Sequence, residues 1–343
     1  MRKIFGAAAI ACSLTTAVQA ASFTDVYTSF YSFGDSLSDD GKFTQLDPPS
    51  FGGRFSNGLV WAEHIEDQFV AARRDTGNLA LGGATAGDVN LRPSGPLSTF
   101  KGQVAVFANS LRTGLGLPTR VLPSVEVKST GPQPGANPLL SVWFGANDIF
   151  QGFNPISAAD AVADGIRLLN SIDKNVFDDF LVVALPDLGK TPAFAGADSA
   201  GATFASNLFN AQLARHLRAL RIEGLNIVGF DPGTVVQQIL DSIDAGTFNF
   251  GILDAENPCT LSVGAFLDPN VTNPGSCLDL GIDPDRLLFV DGVHPNAVAH
   301  KLFAEEVGRS IDANIAAVPV PATLPLMLVV LAGFGMIARR RSA

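Results

Sequence analysis

Ser29-Phe30-Tyr31-Ser32-Phe33-Gly34-Asp35-Ser36-Leu37-Ser38-Asp39 is the stretch that decides the fold. Ser29 to Phe33 reads as a strand covered on both faces, and it runs straight into Gly34-Asp35-Ser36, a tight turn that carries a serine. Far downstream, Asp291-Gly292-Val293-His294 supplies what that serine lacks. A hydroxyl is a poor nucleophile until a base takes its proton, and His294 is such a base. Asp291, on the same loop, is placed to fix the tautomer of the imidazole. A strand-end serine matched to an Asp–His pair implies nucleophilic attack on an acyl group.

Working outward from that strand, similar apolar runs recur at Asn78–Leu81, Leu139–Phe144, Phe180–Leu185, Asn226–Phe230 and Leu287–Val290. Between them lie helical patterns over Leu59–Phe69, Leu97–Leu111, Ala158–Ile172, Ala202–Ile222, Thr234–Ile243 and Ala297–Ile315. Ser157 suits the cap of the third helix, with Asp160 near its positive end, and Asp148 suits a cap beyond Gly145. Strictly alternating strands and helices predict a parallel sheet between two helical layers, with chemistry at the carboxyl ends of the strands.

The polar motifs obey that rule. Gly34-Asp35-Ser36-Leu37 follows the first strand, Gly82-Gly83-Ala84-Thr85 the second, and Gly145-Ala146-Asn147-Asp148 the third; Asp291 to Asn296 follows the last. Attack on a carbonyl creates an oxyanion, so donors must already face that point. The backbone N–H groups of Ser36 and Gly83 and the side-chain amide of Asn147 are the candidate donors. Gly83 lacks a Cβ, which allows close approach. Asp35 and Asp39 read as turn-stabilising residues beside the serine.

Together these blocks resemble the GDSL esterase/lipase family of the SGNH hydrolase superfamily. The resemblance also takes in Gly53-Arg54-Phe55-Ser56-Asn57-Gly58 and Leu185-Pro186-Asp187-Leu188-Gly189. It implies a flavodoxin-like three-layer α/β/α sandwich and ester hydrolysis through an acyl-enzyme, with no cofactor or metal. Ser36 would then be the nucleophile, Asp291 and His294 its acid and base partners, and Ser36, Gly83 and Asn147 the oxyanion hole. The expected substrate is a lipid, a short-chain ester or an acylated glycan. Acyl transfer to an alcohol is a variant of the same chemistry. A non-catalytic surface binding protein on this scaffold is the alternative, and the intact Ser36, Asp291 and His294 speak against it. The Gly-x-Ser-x-Gly elbow of the α/β-hydrolases is absent from the sequence.

The two ends read as addresses. Met1-Arg2-Lys3, an apolar run and Val18-Gln19-Ala20 form a secretory signal over residues 1–20, which carries Cys12 away with it. Residues 21–316 are then the hydrolase domain. Val318-Pro319-Val320-Pro321-Ala322, a short apolar run from Leu324 to Ala338 and Arg339-Arg340-Arg341 resemble a PEP-CTERM sorting tail over residues 317–343. That resemblance implies export in a Gram-negative bacterium, transient anchorage in the inner membrane through a short transmembrane helix, and processing by an exosortase. The product would be released or held at the cell surface.

An exported chain with Cys259 and Cys277 left over is expected to join them in a disulfide. The formal charge of −10 argues against a nucleic-acid partner, whose phosphates it would repel. His64, His216 and His300 lie on helical patterns and read as surface or packing residues. Phe51, Phe55, Phe150, Phe153 and Phe266 lie in loops near the motifs, where they either line an acyl pocket or belong to the core.

Overall fold

The computed structural model describes residues 22–43, 46, 48–120, 126–128, 130–260 and 276–317. The signal segment, Phe266 and the sorting tail lie outside the described residues. Every residue of the first strand, β1 (Ser29–Gly34), is buried. It pairs on one side with β2 (Asp75–Asn78) and on the other with β5 (Pro138–Trp143), and β6 (Asp179–Val183) and β7 (Asn226–Phe230) continue the sheet. The order is β2-β1-β5-β6-β7 and every pairing is parallel, as the alternating pattern predicts. Two short strands, β3 (Pro118–Arg120) and β4 (Glu126–Val127), form a separate antiparallel pair.

The helices are α1 (Phe23–Val26), α2 (Trp61–Ala71), α3 (Phe100–Thr113), α4 (Ala146–Phe150), α5 (Pro155–Ile172), α6 (Ser199–Ile222), α7 (Pro232–Asp244) and α8 (Ala297–Ala317). α3, α5 and α6 pack together in one layer, and α2, α7 and α8 in the other. The alternation of side chains at the end of β5 joins both layers to the sheet. Trp143 meets Trp61 of α2 at 5.8 Å and Phe303 of α8 at 6.1 Å between ring centroids. Its neighbour Phe144 stacks on Phe100 of α3 at 4.7 Å. The result is the flavodoxin-like α/β/α sandwich.

Strand order places the site. The chain leaves β1 for β2 on one side and later returns to β5 on the other, so the sheet reverses direction between β1 and β5. A crevice opens at the carboxyl ends of the strands at such a switch point. The register puts Gly34 opposite Trp143, so the turns after these two strands stand side by side.

Three local expectations need correction. The second strand lies at Asp75–Asn78 rather than Asn78–Leu81, although Leu79 and Leu81 still donate to the carbonyls of Ser32 (2.8 Å) and Gly34 (3.1 Å). The run Leu287–Val290 does not join the sheet. Leu288 donates to the carbonyl of Asp254 (2.7 Å), while the carbonyls of Phe289 and Val290 accept from Cys259 (3.1 Å) and Thr260 (3.0 Å). A short apolar run satisfied by a neighbouring loop has no need of a sheet edge. Finally, α5 is capped by Asn154, not Ser157: Asn154 Oδ1 accepts from Ile156 (2.8 Å) and Ser157 (3.4 Å). Pro155 takes the first helical position, where its fixed φ is favourable and its missing N–H costs nothing.

Cys259 and Cys277 are joined in a disulfide. This cross-link braces the segment that leads into Asp291, because Cys259 is also the donor to Phe289. Closing a loop of this size contributes about 3 kcal/mol in the chain-entropy account. Replacing both cysteines with serine should therefore lower the unfolding free energy by about 3 kcal/mol. A urea denaturation series on the two forms measures the difference, and coincident midpoints would refute it.

Candidate active site

The turn after β1 and the loop before α8 bring Ser36 and His294 together across 258 residues of sequence, with His294 Nε2 2.7 Å from Ser36 Oγ. His294 Nδ1 lies 2.7 Å from Asp291 Oδ2, and Asp291 Oδ1 accepts from the backbone of Val293 and His294, both at 2.8 Å. Asp291 is therefore an acceptor on every side. It holds the imidazole proton on Nδ1 and leaves Nε2 to accept from the serine hydroxyl. Ser36, Asp291 and His294 are all buried, and the ring of Phe55 packs on the imidazole at 4.9 Å.

The second and third motifs flank this pair. Gly83 adopts φ +79°, a left-handed conformation that side chains disfavour. A Cβ there would meet nothing within 4 Å, so the demand for glycine is conformational rather than a matter of space. At Gly82 the demand is steric, since a Cβ would lie 2.2 Å from the Phe55 ring. Among the described residues the backbone N–H groups of Ser36 and Gly83 have no acceptor. Asn147, in the first turn of α4, donates an amide hydrogen to the carbonyl of Ala84 (3.1 Å), and its side chain also acts on the Asp35 carboxyl. All three predicted donors thus line the crevice beside Ser36.

Two carboxylates that the sequence left as local turn or cap residues act over long range. Asp39 Oδ2 accepts from Gly82 N (2.8 Å), while its Oδ1 accepts from Gly41 N (3.0 Å) and Lys42 N (2.9 Å). Asp148 does not cap α4 with its side chain; it accepts from Ala86 N (2.8 Å) and Gly87 N (3.0 Å). Segment 82–87 therefore hangs at one end from the serine turn and at the other from the asparagine turn. Burial raises the pKa of both acids, that of Asp39 to about 6. Only the side-chain spacing after each motif hinted at this, because the partners lie 43 and 62 residues away.

Two cavities open from Ser36, Asn147, Phe150, Val293 and His294. The first, about 30 Å³, is walled by Leu37, Trp143, Leu188, Val236 and Phe289. The second, about 340 Å³, is bounded by Phe43, Phe55, Gly83, Arg92, Ser94 and Phe194. Phe55 and Phe150 are thus site residues, whereas Phe51 is exposed under the Arg54 guanidinium at 5.3 Å. His300 is a packing residue, with Nδ1 accepting from Trp61 N at 3.3 Å; burial pushes its pKa down to about 3. His216 bonds Asp160 at 2.6 Å, away from the crevice, and His64 lies on α2.

Ser36, His294 and Asp291 thus meet in the crevice of a doubly wound sheet. The family model described as GDSL-like Lipase/Acylhydrolase matches residues 30–307, and the chain belongs to that family. Its activity is the hydrolysis of carboxylic esters. Among its relatives, a phosphatidylcholine-sterol acyltransferase of Aeromonas hydrophila is 27% identical over 338 residues, covering 87% of this chain and 94% of that protein. Esterase EstA of Pseudomonas aeruginosa is 28% identical over 332 residues, and the match spans 87% of this chain but only 49% of the relative. An aryl esterase structure from M. smegmatis shares 15% identity at a TM-score of 0.44, covering 83% of this chain and 99% of that one. A carbohydrate acetylesterase from Sinorhizobium meliloti shares 14% at 0.40, covering 83% and 98%.

Asp35, beside the serine, is fully buried. One oxygen accepts from Leu37 N (3.1 Å) and the other has no hydrogen-bond partner. Burial lifts its pKa to about 7, with Asp148 adding to the rise and the Leu37 N–H, His294 and the Asn147 side chain opposing it. Because the folded pKa exceeds the unfolded one, the folded chain holds the extra proton between these values, and stability falls as pH rises through that window. Asp35→Asn keeps the acceptor for Leu37 and removes the titration. Its stability relative to wild type should improve by about 2 kcal/mol between about pH 5 and about pH 8. Guanidinium unfolding at both pH values tests this, and a pH-independent difference contradicts it.

Proposed function

We propose that the chain is an exported serine esterase in which Ser36 is the nucleophile, His294 the general base and Asp291 its orienting partner. The observation that carries this reading is the unbroken chain of 2.7 Å contacts from Asp291 through His294 to Ser36. Ser36 Oγ attacks the ester carbonyl as His294 Nε2 accepts its proton, and Asp291 stabilises the imidazolium that forms. The oxyanion develops against Ser36 N–H, Gly83 N–H and the side-chain amide of Asn147. His294 then protonates the departing alcohol. Water, deprotonated by the same imidazole, releases the acid and restores the serine. An alcohol in place of water would give acyl transfer, the activity for which the Aeromonas relative is named.

The two cavities match the two halves of an ester. The smaller, apolar one suits the acyl chain, and its limited free volume favours short chains. The wider one suits the alcohol. Export rests on the N-terminal signal over residues 1–20 and on the Val318-to-Ala322 sorting tail with its arginine cluster, which supports an exosortase as processing partner. Among the described residues no helix is long and apolar enough to cross a membrane.

Ser36→Ala should cost on the order of 10⁶-fold in kcat on p-nitrophenyl butyrate and abolish labelling by a fluorophosphonate probe. A folded variant that retains turnover would reject the nucleophile. Asn147→Ala should lower kcat by roughly 10²–10³-fold with little change in KM; a pure KM defect would instead make it a binding residue. Across p-nitrophenyl acetate, butyrate, octanoate and palmitate, kcat/KM should peak at acetate or butyrate. A maximum at palmitate would overturn the assignment of the narrow cavity.

A further inference from the structure

The wider cavity carries one permanent charge, Arg92; no carboxylate lines it, and its other titratable wall residue is His294. That is unusual in a chain whose net charge is −10. Several other basic groups do have carboxylate partners: Arg54 makes a twofold contact with Glu63, Lys42 pairs with Asp40, and Lys101 with Asp88. Arg92 makes no ion pair and no side-chain hydrogen bond among the described residues. The arginine is thus presented without a counter-charge beside the ester-cleaving serine.

Its position is fixed by the same segment that supplies Gly83. Asn90 Nδ2 donates to the carbonyls of Gly83 (2.9 Å) and Ser98 (2.7 Å), and Asn90 Oδ1 accepts from the backbone N–H of Arg92 (2.8 Å). The adjacent Leu91 N–H donates to Gln151 Oε1 (2.6 Å), four residues beyond Asn147. The loop bearing the arginine is therefore tied by side-chain bonds to both oxyanion-side motifs. The exposed guanidinium carried by this anchored loop is planar and matches phosphate or carboxylate oxygens in a two-pronged contact.

We propose that Arg92 forms a subsite for an anionic group, a phosphate or a carboxylate, on the alcohol half of the ester. The proposal rests on Ser36 as nucleophile and on the narrow cavity taking the acyl chain. Phosphate would come from a glycerophospholipid and carboxylate from a uronic-acid glycan. The arginine binds the head of the substrate while the ester carbonyl sits over Ser36, so its contribution reaches the transition state through positioning.

The test uses two substrate pairs with matched acyl groups. Dibutyryl phosphatidylglycerol is set against dibutyrylglycerol, and acetylated galacturonan against acetylated xylan, with wild type, Arg92→Glu and Arg92→Lys. A hydrogen bond to a charged group at an exposed site is expected to give about a tenfold preference. Arg92→Glu should therefore lower the anionic-to-neutral ratio of kcat/KM by about tenfold or more in one pair, while Arg92→Lys keeps most of it. Loss confined to the lipid pair identifies phosphate, and loss confined to the glycan pair identifies carboxylate. Equal ratios in wild type and Arg92→Glu, or no turnover of either anionic substrate by wild type, overturn the subsite. Failure of wild type to label with a fluorophosphonate is a different result: it removes the serine mechanism, and the subsite falls with it.

Discussion

Two buried carboxylates hold the whole arrangement in register. Asp39 reaches from the serine turn to Gly82, and Asp148 reaches from the asparagine turn to Ala86 and Gly87. Each accepts backbone N–H groups that no sheet or helix satisfies, and each would be costly to bury without them. The segment between those anchors contains Gly83 and continues into the loop of Arg92. Position along the sheet brings the motifs near one another, but these bonds set the distances on which an oxyanion depends. Lys42, itself fully buried, lies 3.9 Å from Asp39 and offsets part of its charge.

The sheet supplies the coarser constraint. Parallel strands with both faces covered leave only their ends for polar chemistry, and the reversal of order between β1 and β5 opens the crevice there. The same logic explains why the motifs are small and polar while the strands behind them are continuous apolar runs. Trp143 and Phe144 anchor the last residues of β5 into opposite helical layers, so the turn carrying Asn147 starts from a rigid base.

Much of this was legible in the amino-acid order, for physical reasons that differ from place to place. β1, β5 and β6 are buried apolar runs, and the edge strand β7 keeps an apolar inner side, so hydrophobicity finds them; β2 is the other edge strand, Asp75-Thr76-Gly77-Asn78, whose composition resists strand assignment and whose pairing comes from β1. Leu287–Val290 misleads in the opposite sense, since an apolar run shows burial but not the partner that provides it. Ser36, Gly83 and Asn147 were readable as small and polar residues in the turns beyond β1, β2 and β5, and Asp291 and His294 from their mutual spacing, although no strand precedes them. The long reaches of Asp39 and Asp148, and the placement of Arg92 by Asn90, were not. Each depends on a contact between segments whose proximity only the folded chain creates.

Ser36 and His294 are mounted on different parts of the fold. Ser36 follows β1, an interior strand of the sheet, whereas Asp291 and His294 belong to a buried loop outside the sheet, stitched to residues 253–260 and cross-linked through Cys259. Such a loop can open without melting the sheet, and amide exchange across residues 287–294 would then outpace that of β1 and β5. Heating or thiol reduction would silence the enzyme while most of its secondary structure persists, making activity a more sensitive gauge of integrity than circular dichroism.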